Sequence, residues 1–394
     1  MPSLYVHVPF CVQKCDYCAF YSHSLVNSPE DLISLYLEGL EVEMVKRQKD
    51  APQGVSSLFV GGGTPTALKG VELERLMKMI HRHFPMNQGI EKTVEGNPGT
   101  LTDEKLDILR CYGINRFSLG VQSFDDKLLS VVGRIHTSRQ AREAIGRLRR
   151  AGFKNLNLDL MFGLPGQDMR VWQASLEEAL FYLPEHLSLY GLMLEEGTQL
   201  YRRHLQETID PNNKDVGFEA ALLDRLPNDD LQADMHEWAV EKLKQAGYMQ
   251  YETSNFARQG YECQHNLGYW RGYDYIGLGP GGVSCLNRVR WKNIKDVSSY
   301  KSFMQKGQNL INEAGRENLS LPECMAERMI LGLRLDEGVN LTSFKNDFGV
   351  DLRDIYRDVL ERYKHQDVFI VQGDYFRLNP KYSFVANSIL QEFV

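Results

Sequence analysis

The chain has 394 residues, 43% hydrophobic and 25% charged, with a formal net charge of −7. This is ordinary globular composition, long enough for about two domains, and its acidic balance argues against nucleic acid as the main partner. No apolar run approaches the roughly 20 residues needed to span a bilayer and no leader-like segment precedes the first motif, so a cytoplasmic protein is expected.

Short β-rich runs alternate with amphipathic helical ones, the pattern of a parallel sheet covered by helices. Strands are predicted at 4–8, 55–60, 92–96, 116–121, 155–161 and 186–192. Between them, Leu32, Ile33, Tyr36, Leu37 and Leu40 make one helical apolar stripe, and Leu73, Leu76, Met77 and Ile80 another. Thr102 and Ser138 sit where N-caps belong, and Gly113 and Gly152 where helices end. The fold class is therefore α/β, an incomplete (β/α)6 TIM-like barrel spanning 1–293. A polar stretch at 201–230, turning at Asp210-Pro211-Asn212-Asn213, reads as a surface excursion. A linker at 294–307 is expected to lead to a smaller α+β, winged-helix-like domain over 308–394. Its helices are predicted at 323–334, 341–347 and 352–366, followed by a hairpin at 368–378 turning at Gly373-Asp374. Residues 305–394 carry eleven Lys and Arg against fourteen Asp and Glu, so no basic recognition face is evident.

Cys11, Cys15 and Cys18 form a CxxxCxxC cluster in the segment YVHVPFCVQKCDYCAF. Three thiolates can hold three irons of a cube whose complete ligation uses four, which leaves one iron open. Zinc sites usually pair thiols as CxxC units with a further pair downstream, and no such pair follows. Cys111, Cys263, Cys285 and Cys324 are scattered singly, and seven thiols make a sparse, odd set for a disulfide framework, so a reducing compartment is expected. In a barrel of this kind the site gathers at the C-terminal ends of the strands. The cysteine segment follows strand one, Gly61-Gly62-Gly63-Thr64-Pro65 follows strand two, and Glu95-Gly96-Asn97-Pro98 closes strand three. Gln122 ends strand four, Asp159 lies near the end of strand five, and Met193 follows strand six. All are expected on one rim.

Together with GGGTP, EGNPG, RFSLGVQSF, LDLMFGLPGQ and MILGLR, the cysteine segment resembles the radical S-adenosylmethionine (SAM) superfamily and, within it, the coproporphyrinogen dehydrogenase group, HemN and its relatives. The resemblance covers nearly the whole chain. It implies a [4Fe-4S] cluster on Cys11, Cys15 and Cys18, SAM chelated by the open iron, and SAM cleavage by a supplied electron. Position by position it implicates Tyr5, Gly63, Thr64, Glu95, Gln122, Arg134 and Asp159 in holding SAM, with Tyr17 covering the cluster or contacting adenine. It also makes the last segment a HemN-type C-terminal domain.

Two features divide the group. Phe20 stands two residues after the third cysteine, where the decarboxylating enzyme carries another cysteine. His265-Asn266-Leu267-Gly268-Tyr269-Trp270 matches the HNxxYW motif of the HemW heme chaperones, in which an imidazole is a good ligand for heme iron. The resemblance thus implies a chaperone that binds heme through His265 and passes it to an apo-hemoprotein acceptor. An electron donor such as flavodoxin or ferredoxin is implied, with membrane association only of a peripheral kind once heme is loaded. The alternative is an oxygen-independent coproporphyrinogen III dehydrogenase, forming protoporphyrinogen IX by oxidative decarboxylation. One departure is Gly279-Pro280-Gly281-Gly282-Val283-Ser284, where Val283 replaces the imidazole of a GxGAHS-like loop, so no second heme ligand is assigned.

Overall fold

The computed structural model describes residues 1–26, 28–209, 226–305 and 315–394. The predicted strands form as β1 (Ser3–Val8), β2 (Val55–Gly62), β3 (Met86–Gly96), β4 (Arg116–Gln122), β5 (Leu156–Phe162) and β6 (His186–Gly191), paired in parallel in that order. A further parallel strand, β7 (Tyr275–Leu278), joins the other edge of β1. Short antiparallel strands extend both edges, giving an open sheet of twelve.

Alternation along each strand sorts its side chains. Leu4, Val6 and Val8 of β1, Leu58 and Val60 of β2, and Phe117, Leu119 and Val121 of β4 are fully buried in the core shared with the covering helices. The opposite face carries Tyr5, Ser57, Glu95, Arg116, Asn157 and Asp159. Closed barrels of this class fill their interior with branched apolar residues. Here polar side chains line the lumen, so a site at the rim continues downward as a hydrogen-bonded network.

The helix Leu32–Arg47 buries Tyr36, Leu37, Leu40 and Met44, and with them Glu43. The Glu43 carboxylate, 1% exposed, accepts from Gly279 N at 2.8 Å, from Asn293 Nδ2 at 2.7 Å and from the Tyr300 hydroxyl. It thereby fastens the glycine loop after β7 to the outer helices. Thr102 caps its helix as predicted, whereas the helix Ser138–Arg150 is capped by Thr137, with Gln140 reciprocating, and Ser138 is its first helical residue. Gly113 and Gly152 take the left-handed conformation just past their helices.

Residues expected to act as a linker behave otherwise. Val297–Gln305 is a helix, and Tyr300 is fully buried against Tyr36, with ring centroids 6.3 Å apart. An aromatic with a buried carboxylate partner cannot be left to solvent, so the segment belongs to the barrel's outer layer. Residues 306–314, including the end of that linker and the start of the expected second domain, lie outside the described residues, as does the turn expected at 210–213.

The last domain has its own core around Met329, Leu333, Phe344, Leu352 and Phe376. Strand Val339–Asn340 lies between helices Leu321–Gly332 and Leu341–Phe348 and pairs with Tyr375–Leu378, which pairs in turn with Phe369–Gln372, in a three-stranded antiparallel sheet. This is the winged-helix-like plan, with Gly373-Asp374 at the hairpin turn. The helix predicted over 352–366 breaks at Tyr356 into Leu352–Ile355 and Arg357–Tyr363. The domain meets the barrel through a bridge between Glu252 and Leu335, through Asp336 N donating to Tyr251 O at 3.1 Å, and through the Arg271–Glu337 pair.

Candidate functional site

Cys11, Cys15 and Cys18 leave the end of β1 on one short, partly exposed loop, and all three thiols are free. The loop is seated by backbone bonds from Asp16 N to Val132 O at 3.1 Å and from Leu200 N to Asp16 O at 2.8 Å. Beside it, the chain after β2 packs against the loop's base: Gly63 N donates to Val8 O at 2.9 Å and Thr64 N to Phe10 O at 2.7 Å. A Cβ at Gly63 would lie 2.6 Å from Phe10 O and 2.8 Å from Val8 O, so only glycine fits.

Thr64 and Arg134 reach the sulfurs. Thr64 Oγ1 donates to Cys11 Sγ at 3.5 Å, and Arg134 Nη1 to Cys15 Sγ at 3.5 Å. Asn97 joins the two, donating to Thr64 Oγ1 at 2.8 Å and accepting from Arg134 Nη2 at 2.6 Å. Arg134 Nε is buried with no protein partner. Burial pushes the Cys11 and Cys18 thiols up, while Thr64, Ser22 and Arg134 draw Cys11 back.

Glu95, near the end of β3, accepts from Gly62 N at 2.9 Å. Burial and the Asp159 carboxylate raise it to about 7 against the Gly62 amide and Arg116. Such a carboxyl gains from an incoming cation or hydrogen-bond donor. Asp159 sits midway along β5, held by Asn157 Nδ2 at 2.8 Å and Ser118 Oγ at 3.2 Å, so it faces the lumen below the rim. Gln122 ends β4 at φ 65°, where the register with β5 slips. This left-handed turn re-aims a non-glycine side chain at the strand's end. Tyr5 donates to or accepts from His7 Nδ1 at 3.0 Å. Tyr17 packs among Val132, Met161, Leu192 and Leu200, as a core aromatic beneath the cysteine loop. Cys11, Cys15, Thr64 and Arg134 are thus joined directly, and Gly63, Glu95 and Gln122 lie on the same rim.

His265 is elsewhere. The HNxxYW segment forms a helix, Gln264–Trp270. His265 is 1% exposed inside the lumen, with Nδ1 2.9 Å from Ser57 Oγ and Nε2 3.1 Å from the Tyr269 hydroxyl. Burial and the Arg116 cation lower it to about 3, so the ring is neutral. Both ring nitrogens of the residue expected to bind heme are engaged within the protein.

Sequence reasoning missed three groups around this helix. Glu91 accepts from Gln264 N and His265 N, each at 3.0 Å, and from Cys263 Sγ at 3.3 Å. Arg116, 2% exposed, supplies the compensating charge. From Asp159 a chain of hydrogen bonds runs through Asn157 and His186 (2.6 Å) to the Tyr251 hydroxyl (2.8 Å), which accepts from Cys263 N at 3.3 Å. The available signal was the strand period, which turns Glu91 and Arg116 inward with Glu95 and Ser118.

The fit to an iron–sulfur cluster and SAM rests on donor chemistry: three thiols on one loop, a hydroxyl and a guanidinium directed at two of them, and the unpartnered Arg134 Nε. Among the described residues no group of three or more His, Cys, Asp or Glu is already drawn together to hold a metal ion. No helix among them is long and apolar enough to cross a membrane.

Residues 5–179 match the family model of the radical SAM superfamily, and residues 319–381 that of the HemN C-terminal domain. The fold is similar to the solved coproporphyrinogen III oxidase HemN of Escherichia coli, a radical SAM enzyme, with a TM-score of 0.81, 24% identity, and coverage of 100% of this chain and 90% of that one. Barrel and cysteine loop thus define a radical SAM protein, a class that implies a [4Fe-4S] cluster and SAM. The "Heme chaperone HemW" of Lactococcus lactis is 33% identical over 100% of this chain and 97% of its own. That of Bacillus subtilis is 36% identical over 92% and 90%, and that of Escherichia coli 33% over 100% and 98%. The chain belongs to the HemW family.

Proposed function

We propose that this protein is a heme chaperone that binds a [4Fe-4S] cluster, SAM and heme, and passes heme to an apo-hemoprotein. Family membership over the full chain supports it, and the observation that carries it is the HNxxYW helix, held to the barrel wall by Glu91 and Ser57 beneath a complete cysteine and Thr64–Asn97–Arg134 rim.

Cys11, Cys15 and Cys18 would hold the cluster. When bound, the cluster and SAM supply one-electron chemistry at the open iron. The protein's part is to orient and to bias charge. Arg134 and Thr64 direct hydrogen bonds at sulfur, which stabilises a more negative cluster. Gly63 lets the backbone pass close to the ligand, and Glu95 offers a carboxyl poised near neutrality to an ammonium or hydroxyl group. Gln122 and Asp159 add polar groups on the same side, with Tyr5 below and Tyr17 behind.

The test is anaerobic reconstitution with iron and sulfide, then SAM, a reductant, heme and an apo-hemoprotein. Heme bound stoichiometrically and delivered to the acceptor would support the reading. Multiple turnovers of coproporphyrinogen III to protoporphyrinogen IX, without heme delivery, would overturn it in favour of a dehydrogenase. Phe20 in place of the enzyme's cysteine favours the chaperone.

A further inference from the structure

The two ends of the HNxxYW helix face different spaces. His265 is sealed in the lumen against Ser57 and Tyr269, whereas Trp270, five residues on, lines a cleft of about 540 Å³ between the barrel and the C-terminal domain. Arg334, which does not line the cleft, has its guanidinium over the Trp270 ring at 6.0 Å. Tyr273, 57% exposed, and Tyr375 of the hairpin supply further aromatic wall. Two guanidinium groups flank the space: Arg271, paired with Glu337 at 2.9 Å, and Arg328, paired with Asp347 at 2.8 Å.

This cleft has the size and place of a small-molecule site, within the roughly 300–1,000 Å³ range and at a domain interface. Its aromatics suit a flat conjugated ring. Both ion pairs are partly exposed, and such pairs are weak, so a ligand's carboxylates can replace Glu337 and Asp347 on the arginine forks. In the lumen, His265 Nε2 is taken by the Tyr269 hydroxyl.

We propose that the cleft seats a flat macrocycle bearing carboxylates, with Trp270 as its stacking surface and Arg271 and Arg328 as its carboxylate partners. His265 then acts as a positioning residue, locking the helix that carries Trp270. The inference rests on the heme-chaperone reading and locates its ligand. It also gives the C-terminal domain a role, since most of the cleft's lining residues belong to it and any movement between the domains would open the site.

Heme titrated into the full-length protein, followed by its Soret band and by tryptophan quenching, tests this. Asn346 is exposed on the helix Leu341–Phe348 and lines the cleft, so Asn346→Trp fills the space without touching the core. Trp270→Ala and Asn346→Trp are each expected to weaken heme binding at least tenfold, while His265→Gln keeps the wild-type Soret position. Unchanged affinity in Asn346→Trp, or a Soret shift confined to His265→Gln, overturns the location and leaves the chaperone reading intact. Failure of the wild-type protein to bind heme overturns both.

Discussion

If His265 is a lock inside the lumen, its protonation must oppose folding. Its folded value is about 3 against an ordinary 6.5, so the unfolded chain binds the proton more readily. The contribution is fully present above pH 6.5 and is lost as pH falls toward 3. pH 5 lies about 1.5 units below the ordinary imidazole value that the unfolded chain keeps, which at about 1.4 kcal/mol per unit is a loss of roughly 2 kcal/mol from this one group. The folded ring is still neutral at that pH, so nearly the whole amount is felt.

Wild-type protein alone would not isolate the effect. Glu95, raised to about 7, works in the opposite sense and gains stability as pH falls, while His136, lowered to about 3 by burial and then by Arg134, adds to the loss. His265→Gln removes only the group in question. Urea unfolding of the metal-free protein at pH 7 and pH 5, for wild type and variant, gives the difference of differences. The wild type is expected to lose about 2 kcal/mol more than the variant over that interval. The variant's own destabilisation cancels in that comparison. Equal losses, within about 0.5 kcal/mol, would mean an imidazole that titrates as if exposed, and the lock would be refuted.

Three other perturbations follow from the same contacts. Arg134→Lys keeps the charge but cannot reach Cys15 Sγ and Asn97 together, at a cost of about 1.5 kcal/mol, so chelator extraction of iron from the reconstituted protein should be about tenfold faster. Glu91→Ala leaves the Gln264 and His265 amides without their acceptor; at about 2 kcal/mol their hydrogen exchange should speed roughly thirtyfold, and unchanged protection would show that the helix is held by other means. Glu43→Ala strands the Gly279 amide and the Tyr300 hydroxyl in the core and leaves Asn293 Nδ2 only Gly279 O; a loss of about 3–5 kcal/mol in urea unfolding is expected, with Glu43→Gln losing less.

The barrel and its rim were legible because both rest on local rules. Short β-rich runs mark β1 through β6, although β3 starts at Met86 and not at 92, and the motifs after those strands share one rim because parallel strands all end on the same side. Asn97 was visible inside EGNPG, but its link from Thr64 to Arg134 joins residues from three separate loops, which no spacing shows. Glu43 was less legible still. On a helix whose stripe already accounts for the core, a glutamate reads as solvated surface, and only the arrival of Gly279, Asn293 and Tyr300 from more than two hundred residues away makes its burial favourable. The linker expectation failed for the same reason, since Tyr300 is a core residue only because Glu43 and Tyr36 receive it.

The HNxxYW motif shows the limit most plainly. As a string it places an imidazole beside two aromatics and invites one reading, that all three face one ligand. As a helix it cannot satisfy that reading, because positions four apart share a face while the next residue turns roughly 100° away. His265 and Tyr269 therefore meet, with ring centroids 4.9 Å apart, and Trp270 points elsewhere. Once Glu91 fixes the helix's first turn and Ser57 takes Nδ1, the orientation of Trp270 is set by the barrel wall. The lumen network ends on that same turn: from Asp159 it runs through Asn157, His186 and Tyr251 to the Cys263 amide, at the head of the helix that carries the cleft's indole.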